Sequence, residues 1–126
     1  MIVDTSALIA ILYDEPDGPD LLEKLVAAPR RAISTTNLVE AWMVVDRSPN
    51  PARSAALDEL IGLLQIEAVP VTWNHARLAT EAYKVYGKGR HPAALNFGDC
   101  FSYALAKSCG EALLYKGADF AQTDLG

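Results

Sequence analysis

Short apolar runs recur along this chain at intervals that each leave room for one or two helices. This alternation limits the fold more than any other feature. Met1-Ile2-Val3, Ala32-Ile33-Ser34, Ile66 to Val71 and Glu111 to Tyr115 read as strands, with Pro70 marking an edge or an end. Between them lie helical patterns: Ser6 to Tyr13, a stretch entered through Pro19 with a Leu21-Leu22-Leu25-Val26 stripe, and one opened by Thr35-Thr36-Asn37 whose apolar surface is Leu38, Val39, Trp42, Val45 and Met43. Residues 52–65 and 73–85 read as two more helices, and the last begins after Gly98 and stops before Gly110. Strands alternating with helices predict an α/β domain with a mostly parallel sheet. The 126 residues suffice for one such domain, 1–126, and no repeat or linker interrupts them.

With 51% apolar and 21% charged residues the chain can bury a core. No apolar stretch approaches the ~18 residues of a membrane span. Met1-Ile2-Val3 shows no basic leader pattern, and Cys100 and Cys109 fall on roughly opposite faces of one helix. They are expected to be free thiols filling small core positions, and a reducing cytoplasm is the expected location. The net charge of −5 argues against an unaided nucleic-acid binder. The charge is uneven, however. Residues 1–28 carry Asp4, Asp14, Glu15, Asp17, Asp20 and Glu23 against Lys24, whereas 84–116 carry Lys84, Lys88, Arg90, Lys107 and Lys116 against Asp99 and Glu111. An acidic chain that handles phosphates needs metal ions or a local basic patch.

Four acids stand out by position. Asp4 follows three apolar residues at the carboxyl end of the first strand, where open parallel sheets bind ligands. Its bland alternative is a helix N-cap, for which Thr5 and Ser6 compete. Glu40 sits among Val39, Ala41, Trp42, Val44 and Val45 with no basic partner at helical spacing. A partly buried carboxylate without a cation is costly, and a metal ion answers that cost. Asp99 stands in a first helical turn, where Asn96 and Asp99 also have capping-box spacing. Asp119 follows the last strand, where a turn residue is the ordinary reading. Together they are placed to meet at one sheet edge. Oxygen ligands select hard ions, Mg²⁺ or Mn²⁺. His75, His91 and the cysteines have no zinc spacing, and there is no Walker loop, G-x-G-x-x-G or Ser-His-Asp pattern.

These residues fall in segments that resemble VapC-type toxins of the PIN-domain family: Ile2-Val3-Asp4-Thr5-Ser6-Ala7-Leu8, Asn37-Leu38-Val39-Glu40, Tyr86-Gly87-Lys88-Gly89-Arg90-His91-Pro92, Leu95 to Ala106, and Leu114 to Phe120. The resemblance runs in order from Met1 to about Asp124. It implies an α/β/α sandwich, Mg²⁺- or Mn²⁺-dependent endoribonuclease activity, a VapB-type antitoxin encoded beside the gene, and a homodimer. It puts Asp4, Glu40 and Asp99 at the family's three main acids and Asp119 at a fourth, more variable one. Many relatives have a second acid just before that one. Here Ala118 stands there, and the number of metal ions stays open.

On that reading Ser6, Asn37 and Thr123 are candidates to contact the acids or a metal-bound water. Lys88, Arg90, His91, Lys107 and Lys116 are candidates to hold the RNA backbone, and Tyr86 or Tyr103 to stack on a base. Trp42 and Trp73 are expected in the core or at an interface. The helices at 8–12 and 38–45 offer apolar surface for an antitoxin helix. Three other classes remain open: a binding module that keeps the fold without catalysis, a DNase of the same fold, and a phosphatase of the haloacid-dehalogenase type. The last wants an acid two residues after Asp4, where this chain has Ser6.

Overall fold

Ile2 and Val3 are both fully buried, on opposite sides of a sheet, because successive strand residues point to opposite faces. In the computed structural model, which describes residues 1–126, they form β1 (Ile2–Val3). β1 is flanked by β2 (Ala32–Ser34) and β4 (Leu113–Leu114), and β2 by β3 (Glu67–Val69), in the order β3-β2-β1-β4. All three pairings are parallel, with Ile2 opposite both Ala32 and Leu113 and Ala32 opposite Glu67.

Each parallel step needs a crossover, and each crossover is a pair of helices. β1 leads through α1 (Thr5–Leu12) and α2 (Gly18–Ala27) to β2, and β2 through α3 (Thr35–Asp46) and α4 (Ala52–Leu63) to β3. Val3 and Ile33 pack with Leu8, Leu25, Leu38 and Leu57 on this side. α5 (Trp73–Tyr86) and α6 (Phe97–Cys109) then cross the other face, where Ile2 and Ala32 pack on Leu105 and Ala106. The result is the expected three-layer α/β/α sandwich.

The chain steps outward from β1 to β3 and then returns to the far side of β1. The connections on the two sides of β1 therefore diverge at its carboxyl end and leave a crevice there. Asp4 is the next residue. The Arg31 guanidinium ties the helix ends behind β2, donating to the carbonyls of Leu25, Val26 and Leu64 at 2.6–2.9 Å. A cation suits those orphaned helix C-terminal carbonyls.

Several expectations need correction. The N-cap of α1 is Asp4, with Ser6 N donating to its side chain; Thr5 and Ser6 lie inside the helix. On α3, Leu38, Ala41 and Val45 face the core, while Val39, Trp42 and Met43 face solvent, because the 3.6-residue period buries only one stripe. Trp73 is 88% exposed and belongs to no core. Cys100 is buried as expected, but Cys109, in the last turn of α6, is exposed; both are free thiols. No helix is long and apolar enough to cross a membrane.

The C-terminal segment is held down by Asp124, which accepts Tyr103 Oη at 2.7 Å and Lys107 Nζ at 2.8 Å. Burial pushes the Asp124 carboxyl up, but the two donors outweigh it and hold it below the ordinary value. A depressed carboxyl contributes stability that is complete above the unfolded value near ~4 and is lost as pH falls through the lower folded value. Asp124→Ala should cost at most about 1 kcal/mol at pH 7, since the pair is partly exposed. Denaturant titrations of both proteins should converge as the pH is taken below about 4; a gap that persisted there would show the loss is not electrostatic.

Candidate active site

Asp4 is 3% exposed, and a carboxylate so placed must be hydrogen-bonded. Its Oδ2 accepts Ser6 N at 3.0 Å and Ser6 Oγ at 2.6 Å, and its Oδ1 accepts Ser102 Oγ at 2.5 Å. Ser6 Oγ in turn accepts Lys116 N from beyond β4 at 3.0 Å. The same residue thus caps α1 and joins α1, α6 and the end of the sheet.

Asp99 is reached from the other crossover. Asn96 caps α6 with a reciprocal capping box: Asp99 N donates to Asn96 Oδ1 at 2.9 Å, and Asn96 N to Asp99 Oδ2 at 3.0 Å. The capping role and the acid-cluster role, alternatives in the sequence, coexist in one side chain because the cap uses Oδ2 alone. Glu40 meets the same helix start. A Cβ on Gly98 would stand 2.6–2.9 Å from the Glu40 carboxylate, so only glycine lets the two approach. Asn37, one turn earlier on α3 and fully buried, donates Nδ2 to Gly98 O at 2.9 Å, and Thr5 Oγ1 donates to Asn37 O at 2.8 Å. Asn37 Oδ1 is buried without a partner.

Asp4, Glu40 and Asp99 consequently line one open cleft of about 430 Å³, together with Thr5, Ser6, Ile9, Glu15, Val44, Arg47, Asn96 and Lys116. Asp119 is exposed at the start of the 3₁₀ turn Phe120–Gln122, outside that lining but close enough for its charge to act on Asp99. Burial pushes the Asp99 carboxyl up to about 6. The Asn96 bond works against this, and the charges of Asp4, Asp119 and Glu40 add to it. No ion pair of the chain reaches any of these four acids.

An acidic, all-oxygen donor set with no internal cation fits a hard divalent ion in both donor type and charge. The acids are drawn apart rather than closed on one point: no three His, Cys, Asp or Glu side chains stand at metal-holding distance from one another.

The basic candidates divide. Lys116 is at the cleft, paired with Glu15 at 2.8 Å and Asp17 at 3.6 Å. Lys107 lies two turns along α6 from Asp99, about 12 Å by helix rise, with its charge paired to Asp124. Lys88, Arg90 and His91 sit in the loop that the Gly87–Leu95 bridge closes just before Asn96. Arg90 lies over the Tyr83 ring, and His91 stands edge-on to Tyr86. Thr123 bonds its own turn, to Phe120 O and from Leu125 N, and none of the acids.

Two cleft residues, Arg47 and Glu15, and the buried Ser102 behind Asp4 carried no assignment from the sequence. Ser102 is three residues beyond Asp99, and Arg47 seven beyond Glu40, so helical spacing puts each on its acid's face. Glu15 had no such signal, since its partner is 101 residues away.

Fold and cleft together define a three-layer α/β domain with an acidic site at the switch point of its sheet. Residues 1–125 match the family model of the PIN domain. The chain is 50% identical over 124 residues to Ribonuclease VapC28 of Mycobacterium tuberculosis, covering 98% of this chain and 93% of the relative. It is 47% identical over 126 residues to Ribonuclease VapC of Mycolicibacterium smegmatis, covering 99% and 97%. Among solved structures, M. tuberculosis VapC20, a sarcin-ricin loop cleaving toxin, shares the fold with a TM-score of 0.73 at 21% identity, over 95% of this chain and 92% of that one. VapBC2 of Rickettsia felis, bound to a DNA fragment from their promoter, gives 0.77 at 18% identity, over 98% and 92%. The chain belongs to the PIN-domain family, and its curated relatives are VapC ribonucleases.

Two outcomes follow from this geometry. Gly98→Ala puts a methyl group against the Glu40 carboxylate, the free end of a flexible side chain, so the fold should survive while Glu40 turns away. Thermal unfolding should stay within a few degrees of wild type, and RNA cleavage should fall by about tenfold or more; wild-type cleavage would show that Glu40 is not needed in this position. Ionised Asp99 destabilises the metal-free protein above about pH 6, and the effect fades as pH falls toward the ordinary value near 4. Asp99→Asn should therefore raise the metal-free unfolding temperature at pH 7.5 by a few degrees, worth about 1–2 kcal/mol after allowance for solvent access. The difference should close near pH 4. An unchanged temperature at pH 7.5 would contradict the cost of burying the ionised carboxyl among like charges.

Proposed function

We propose that this chain is a toxin of the VapBC kind that hydrolyses RNA phosphodiester bonds with Mg²⁺ or Mn²⁺ held by Asp4, Glu40 and Asp99, with Asp119 at the margin. The observation that carries the reading is the convergence of Asp4, Glu40 and Asp99, from three different elements, on one cleft in which no cation of the chain is paired with them. Its 50% identity to a named VapC ribonuclease supports the reaction class.

When bound, the divalent ion supplies a Lewis acid that makes water a stronger nucleophile near neutral pH and offsets charge on the phosphoryl oxygens. The chain's own groups set the geometry. Ser6 and Ser102 hold Asp4, and Asn96 holds Asp99 Oδ2 while leaving Oδ1 without an internal donor. Arg47 and Lys116 flank the acids and are placed to bind phosphate oxygens. Lys116 is shared with Glu15 and Asp17, whereas Arg47 has no acidic partner. In-line attack of water would leave a 5′-phosphate and a 3′-hydroxyl.

A VapB-type antitoxin and a second copy of the chain are the proposed partners. Val39, Trp42 and Met43 on α3 support the former as an unpartnered apolar patch, and the exposed Trp73 and Phe97 at the starts of α5 and α6 support the latter. In residues 8–12, Leu8 and Ala10 are fully buried, while Ile9, Ile11 and Leu12 are half-buried and keep some apolar surface there. Ser6 donates to Asp4 instead of standing as a second acid, which counts against the dehalogenase-type phosphatase.

The test is incubation of the purified, antitoxin-free protein with total cellular RNA in Mg²⁺, in Mn²⁺ and in EDTA, beside Asp99→Asn and a DNA control. Discrete cleavage of RNA that EDTA and the substitution each abolish is expected. Cleavage that survives in Asp99→Asn would remove the acid cluster from the mechanism, cleavage of the DNA control alone would favour the DNase, and no cleavage at all would favour a binding module.

A further inference from the structure

Ser102 is fully buried in the interior of α6, and its hydroxyl reaches across the sequence to Asp4 at the end of β1. A helical serine ordinarily turns its hydroxyl back to the carbonyl four residues earlier. For Ser102 that is Gly98 O, which already accepts Asn37 Nδ2 at 2.9 Å. The Ser102 donor goes to Asp4 Oδ1 instead. An ionised carboxylate has about four acceptor sites, two on each oxygen. Ser6 N and Ser6 Oγ fill the pair on Oδ2, and Ser102 takes one of the pair on Oδ1.

We infer that Ser102 is a positioning residue for the metal site: it fixes Asp4 so that a single acceptor site, on Oδ1, is presented to a divalent cation, which Asp4 then binds through one oxygen. The inference rests on the metal-binding reading above and adds to it the residue that aims Asp4 and the atom that binds. The placement serves this end well. Ser102 lies one helical turn beyond Asp99 on the same face, so a single stretch of α6 carries one acid and sets the orientation of another 98 residues away. Without the Ser102 donor, rotation of the Asp4 carboxylate is limited on the Oδ2 side only, and Oδ1 has two sites open instead of one.

The discriminating measurement is Mn²⁺ binding to the metal-stripped protein, followed by titration calorimetry or by the free-Mn²⁺ paramagnetic resonance signal, with no RNA present. Ser102→Ala should weaken Mn²⁺ binding by about 10–100-fold, the usual effect of removing a group that orients a metal ligand. Ser102→Cys, close in size and with a weak donor, should fall between it and wild type. In an Asp4→Asn background, Ser102→Ala should change Mn²⁺ affinity no further, since the residue it orients is already altered. A merely structural serine would lower the unfolding temperature in Ser102→Ala and leave Mn²⁺ affinity as in wild type, and that result overturns the inference while the metal site stands. A wild-type protein that binds no Mn²⁺ overturns both.

Discussion

The burial of one carboxylate organises this molecule. Asp4 must leave water because the strand that precedes it is the centre of the sheet. Burial of an ionised acid is affordable only where several donors meet it. Those donors come from the first turn of α1 and from the middle of α6, segments at opposite ends of the sequence. The last crossover is therefore joined to the first by the same bonds that satisfy the Asp4 carboxylate. A parallel sheet leaves this as its natural meeting point, since the connections diverge only at the carboxyl end of β1.

A second constraint is charge. Burial pushes the Asp99 carboxyl up to about 6, and the like charges of Asp4, Asp119 and Glu40 add to that shift. The chain has cations, two of them at the cleft itself, and pairs none of them with these acids. Lys107 is paired with Asp124, Lys116 with Glu15 and Asp17, and Arg31 with helix carbonyls. A site that is unfavourable to the folded chain alone and not neutralised from within is the arrangement expected where stability has yielded to function. The flanking Arg47 and Lys116 lie at the edge of the acid cluster, where they can serve an anionic substrate without cancelling the acids.

Much of this was legible beforehand, for identifiable reasons. Asp4 could be placed because three apolar residues ending in an acid have few explanations other than a strand end. Glu40 could be placed because its helical neighbours lacked any base. β1 and β4 could be found although each is only two residues long, since both are apolar throughout. What stayed hidden depended on tertiary contact. Nothing local marks Ser102 as the donor to a residue 98 positions away, and nothing marks Glu15 as the partner of Lys116. Which face of α3 the core would cover stayed open for a related reason. Leu38, Val39, Trp42, Met43 and Val45 are all apolar, so composition could not say which of them the sheet would cover.

Two acids of the cleft are also ordinary helix caps, and this explains why both looked weak alone. Asp4 caps α1, and Asp99 closes a capping box at α6. The cap is not a competing explanation, because each leaves acceptor capacity on the carboxylate unused. A cap fixes a side chain relative to rigid backbone N–H groups, which is the preorganisation a metal ligand needs. Two helix starts aimed at one sheet edge bring two acids there with little freedom, and they set the positive ends of two helix dipoles beside the negative charge. Glu40 differs. It reaches the cleft from the middle of a helix, by the space that Gly98 leaves open, and its position depends on a missing side chain rather than on a donor. The cleft thus combines two acids held by caps with a third whose carboxylate no donor of the chain fixes.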